Sequence, residues 1–92
     1  MSEYIEIETE LSDDDNTFTV YTNLRLNDGK AEQYHSREEL EEGTPLAQAM
    51  AVIEGIRFLQ IEGSDMLVRH DPEMPWHLIT SDISAVLKDF FL

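Results

Sequence analysis

Cysteine is absent from this 92-residue chain. That excludes disulfide crosslinks, a thiolate nucleophile and any Cys-ligated zinc or iron–sulfur site. Basic residues are almost as scarce: 6 Lys and Arg stand against 20 Asp and Glu, for a net charge of −14. Nucleic-acid binding depends on basic side chains that displace counterions, so the absence of any basic patch argues against DNA or RNA as partners. The same sign argument disfavours anionic membrane surfaces. No apolar run approaches the roughly 20 residues that span a bilayer. Met1 to Glu10 alternates acidic and apolar residues, without the basic start and apolar run of a signal peptide. The expected location is the cytoplasm. Glycine and proline number only 4 and 3, so the few turns they mark are informative.

What is present fits a folded chain. The apolar fraction is 41%, and the length suits one domain over residues 1–92 with one modest core. The acidity is uneven: residues 1–44 carry 13 acidic and 3 basic side chains, residues 45–92 carry 7 and 3. A field of this sign suits a basic protein surface or a metal cation.

Tyr4 to Glu8 reads as a strand, and Ser12 to Asn16 as a polar turn. Thr17 to Thr22 alternates at period two with Phe18 and Val20 on one face, which predicts a second strand. Asn27-Asp28-Gly29 is a turn, and a third short strand is expected over Ala31 to His35. Ser36 caps a short helical turn, with Glu39 at the capping-box position and Gly43 ending it. Thr44 as N-cap and Pro45 at the first helical position begin the next helix, whose stripe is Leu46, Ala49, Met50 and Ile53 and whose stop is Gly55. Ile56 to Ile61 and Met66 to Arg69, joined by Glu62 to Asp65, read as a hairpin. A final helix carries the stripe Ile79, Ile83, Val86, Leu87 and Phe90. The order β-β-(β)-α-β-β-α predicts an α+β two-layer sandwich: an antiparallel or mixed sheet of four to five strands, with two main helices on one face.

Few constellations suggest chemistry. Asp13, Asp14 and Asp15 offer oxygens to a cation but lack the alternating order of a calcium loop, so a solvated turn is the plain reading. His70 and His77 flank Asp71 and Glu73 without a recognised ligand spacing, and the surrounding prolines predict a loop. A weak metal-binding protein using Asp13 and Asp15, or His70 and His77, is the alternative function. Ser36, Ser64, Ser81 and Ser84 sit in turn, cap or helix contexts with no activated nucleophile evident, so an enzyme is not expected. Trp76 reads as a staple between the last helix and the sheet, with an interface anchor as its other role. Phe91, off the main stripe of that helix, is expected to offer an exposed apolar contact.

The runs Gly43-Thr44-Pro45-Leu46-Ala47-Gln48-Ala49-Met50, Ile53-Glu54-Gly55-Ile56-Arg57 and Gly63-Ser64-Asp65-Met66-Leu67-Val68 resemble the N-terminal domain of Nfu/NifU-type iron–sulfur scaffold proteins. That domain shows a Ser-Pro-Leu-Ala stretch, an Ile-Glu-Gly-Val segment and a Gly-x-Asp hairpin. It closes with a Trp and an Ile/Leu-rich helix ending in Asp-Phe-Phe, as Trp76, Ile79, Ile83 and Asp89-Phe90-Phe91 do here. Ser36-Arg37-Glu38-Glu39 matches the Ser-x-Glu-Glu stretch that precedes. The front departs, with Ser12 to Thr17 standing where the family has Thr-Pro-Asn-Pro. The Cys-x-x-Cys motif of the family's separate C-terminal domain is missing. The resemblance implies a free-standing version of the domain that holds no cluster, binds no cofactor and performs no catalysis. It would act as an adapter between protein partners, such as iron–sulfur scaffolds or apo-targets.

Overall fold

The computed structural model describes residues 5–12 and 16–91. Five strands and three helices follow in the order β1 (Ile7–Leu11), β2 (Thr17–Thr22), β3 (Glu32–Tyr34), α1 (Arg37–Glu41), α2 (Pro45–Met50), β4 (Ile56–Glu62), β5 (Asp65–His70) and α3 (Trp76–Phe91). The sheet order is β1-β2-β5-β4-β3, and every neighbouring pair is antiparallel. The fold is therefore the expected α+β class, with the third strand present and the sheet wholly antiparallel.

Alternation assigns the two faces. Phe18 and Val20 of β2, Met66 and Val68 of β5, and Leu59 and Ile61 of β4 are all buried on one face. Leu40 of α1, Leu46, Ala47 and Met50 of α2, and Ile79, Ile83 and Leu87 of α3 join them in a single core. A register shift between Ile56 and Phe58 inserts Arg57 into β4 and returns Leu59 to the core face.

Local chemistry sets the helix starts. The Ser36 side chain accepts the Glu39 N–H, while the Glu39 carboxylate reaches back to the His35 N–H at 2.8 Å, one residue before the expected partner. Thr44 caps α2, with Pro45 at its start. Gly43 joins α1 to α2 under the ring of Tyr34, where a Cβ would lie 2.5 Å from Tyr34 Cε1.

Several boundaries and faces differ from the sequence expectation: β3 is confined to Glu32–Tyr34, and the hairpin strands extend to Glu62 and over Asp65–His70. Tyr4 lies outside the described residues, and β1 runs to Leu11 because its ladder with β2 extends to the Leu11–Phe18 pair. The second helix ends at Met50 instead of reaching Gly55; a tighter turn from Ile53 N–H to Met50 O takes over, and Ile53 is buried from that turn. Ala49 is only half-buried. On α3, Phe90 is 44% exposed and Phe91 is packed against the core, the reverse of the expected roles. Ile79, Ile83, Leu87 and Phe91 form an i, i+4 ridge, which is inclined to the helix axis. The contact line follows that ridge, so it drifts away from Phe90 by the last turn.

Candidate interaction groove

At one end of the molecule the start of α2, the end of α3 and the connection between β2 and β3 enclose an open groove of about 470 Å³. Leu26, Pro45, Leu46, Phe90 and Phe91 supply its apolar surface. Phe90 and Phe91 meet edge to face, with ring centroids 5.0 Å apart. Arg25, Asp28 and Glu32 add charge to the lining.

Glu32 is the structural centre of the groove. One of its carboxylate oxygens accepts the Tyr34 hydroxyl at 2.6 Å and the Thr44 hydroxyl at 3.1 Å; the other accepts the Asn27 amide at 2.9 Å. Asn27 also donates to Ile61 O, while its side-chain oxygen accepts the N–H groups of Gly29 and Gly63. The β2–β3 connection, β3, the cap of α2 and the turn after β4 are thus tied to two side chains. Partial burial, and then the hydrogen bond to Glu32, raise the pKa of Tyr34 above the ordinary phenol value. The neutral hydroxyl is the form this network holds.

Each residue singled out in the sequence has a definite place or lies outside the described range. Asp13 and Asp15 fall outside it. His70 is 5% exposed at the end of β5, its ring 5.8 Å from that of Phe18 and its Nδ1 2.9 Å from Asp71 O, so it is a core histidine. His77 is exposed on the first turn of α3. Among the described residues no three His, Asp or Glu side chains are arranged to hold a metal ion. Asp71 is instead a structural group. The Glu73 N–H at 2.9 Å and the Arg57 guanidinium at 3.1 Å hold its carboxyl below the usual carboxylate range.

Trp76 is half-buried, its ring 6.4 Å from Phe18 and edge-on to His77. It joins α3 to the sheet. Phe91 lines the groove from its packed position, while Phe90 stands at the solvent side. Sequence reasoning missed Asn27, Glu32 and Leu26 as parts of one site. Asn27 was visible only as a turn residue, and no local pattern connects it to Gly63 or Thr44.

The architecture has known counterparts. The solution structure of a NifU-like protein from Saccharomyces cerevisiae superposes with a TM-score of 0.77 over 97% of this chain and 82% of that one, at 21% identity. The crystal structure of protein SAV1430 from Staphylococcus aureus gives a TM-score of 0.71 over 89% and 98%, at 12% identity. A Staphylococcus epidermidis protein gives 0.61 over 92% and 98%, at 15% identity. The chain shares the fold of a NifU-like protein. No family model matches it, and no curated protein matches it by sequence. Among the described residues no helix is long and apolar enough to cross a membrane.

Proposed function

We propose that this chain is a non-catalytic, protein-binding accessory domain in iron–sulfur cluster assembly or delivery. The observation that carries this reading is the agreement of its fold, over 97% of its length, with a NifU-like protein. The motifs from Gly43 onward and the closing Asp89-Phe90-Phe91 support the same direction. A chain without cysteine holds no cluster through thiolates, so its contribution is to contacts with proteins that do. The groove beside Phe90 is a suitable contact surface. It combines an exposed aromatic ring with a rim of fixed polar groups, the composition that interface anchors favour.

The test is anaerobic affinity capture from cells of the source organism, run beside a Phe90→Ser variant and quantified by mass spectrometry. Enrichment of cluster scaffolds, desulfurase components or iron–sulfur apo-proteins, weakened by Phe90→Ser, is the expected result. Equal recovery of those proteins on an unrelated acidic domain would overturn the role.

A further inference from the structure

The two edges of the sheet are unequal. β3 is three residues long and is packed beside α1. β1 is five residues long, and among the described residues no strand lies on its outer side. The hydrogen bonds that flank its ladder fix which groups face out. Ser12 N–H bonds Thr17 O, and Asn23 N–H bonds Glu6 O, so the even-numbered residues exchange bonds with β2. The backbone N–H and C=O groups of Ile7, Thr9 and Leu11 therefore turn outward.

Side chains along this edge are sorted by face. Glu8 and Glu10 are exposed on the open face of the sheet, opposite Tyr21 and Thr19. Ile7, Thr9 and Leu11 stand on the helix-covered face, and Leu11 is 51% exposed. A second copy of β1 pairing here would set glutamates against glutamates, which opposes edge-to-edge association. A strand with lysine or arginine at alternate positions would meet Glu8 and Glu10 with opposite charge. Its intervening apolar residues would extend the core face over Ile7 and Leu11.

We propose that the outer edge of β1 binds an extended protein segment in which basic and apolar residues alternate, adding it to the sheet as a sixth strand. The backbone ladder supplies attachment, Glu8 and Glu10 set the charge, and Leu11 sets the apolar face. This deepens the protein-binding reading and rests on it, while specifying a surface and a partner chemistry that the cluster role does not require.

A capped peptide alternating lysine and valine tests it, with the glutamate–valine peptide as control, by amide NMR titration of the whole chain. The expected result is saturable binding of the lysine peptide alone, with shifts and slowed hydrogen exchange centred on the amides of Ile7, Thr9 and Leu11. Thr9→Pro removes an outward N–H and spares the ladder to β2, a position where edge proline is tolerated. Glu8→Lys/Glu10→Lys reverses two exposed charges and gives up one exposed hydrogen bond, from the Tyr21 hydroxyl to Glu10 at 3.4 Å. Each variant should weaken the lysine peptide by about tenfold or more, and the charge-reversed variant should prefer the glutamate peptide. Absence of saturable binding, shifts centred on the Phe90 groove, or unchanged affinity in both variants would overturn the proposal. Capture of cluster-assembly proteins without lysine-peptide binding would retain the proposed function and remove this surface. The opposite pair of results would retain the surface and remove the cluster role.

Discussion

On the helix-covered face, Phe18, Val20, Leu59, Ile61, Met66 and Val68 close against three helices. On the other face of the same strands stand rows such as Glu10, Thr19, Leu67, Gln60 and Gln33, or Glu8, Tyr21, Asp65 and Glu62. One face buries apolar area, which supplies the driving force for folding. The other carries charge that repels itself. Among the described residues the ion pair is Arg57–Asp71, so few of the carboxylates have a cation beside them. The stability of the domain is thus concentrated on one side of a single layer, and the other side is left to determine what it meets.

The largest expected effect breaks that contrast from the covered side. Ile83→Ala empties space next to the sheet and should cost about 2–5 kcal/mol in urea unfolding. Gln33→Ala, exposed on the open face, should stay within about 0.5 kcal/mol. Gly43→Ala should come next, at about 1–3 kcal/mol, because the new methyl must displace the Tyr34 ring that Glu32 holds in place. Raising NaCl should raise the melting temperature by screening the open face's carboxylates. A flat salt response would mean that self-repulsion is not a significant part of the balance.

The smallest effect sharpens the contrast through pH. Tyr34 has a raised pKa in the fold, so its contribution is full below the unfolded phenol value and is lost as pH rises through the folded one. Tyr34→Phe should flatten that alkaline decline. Asp71 behaves oppositely, its contribution present above the ordinary carboxylate value and lost as pH falls through its depressed one. Asp71→Asn should remove that part of the acid limb. An unchanged acid limb would show the Glu73 and Arg57 contacts to be energetically silent.

Elements governed by neighbours in sequence were legible. The alternation of Thr17–Thr22, the hairpin of β4 and β5, and the Ser36 and Thr44 caps each depend on residues within a few positions. The resemblance carried by Gly43 onward pointed to the architecture later matched in structure. The strand order and the groove around Glu32 depend on partners tens of residues away, which no local pattern encodes, while the placement of Phe90 and Phe91 turns on which row of α3 meets the core. His70 illustrates the same limit. Its nearness to Asp71, Glu73 and His77 in the chain kept a ligand set as the alternative to a loop, yet its position at an inward register of β5 makes it a core residue.

The β2–β5 ladder has a consequence for how the chain assembles. It is the seam between a hairpin, β1–β2, and a meander in which β3, the short helices, β4 and β5 follow one another in space as in sequence. Every strand pairing inside either half is closer along the chain than the seam itself, which joins Thr17 to Arg69. Closing it is the entropically expensive event, so folding should be slower than for a helical bundle of this length. The seam also makes the molecule a natural two-piece device. A chain cut in the connection between β2 and β3 would leave two fragments that share, among the described residues, that seam and the packing of Phe18 and Val20 in the core, and their recombination would report the two together.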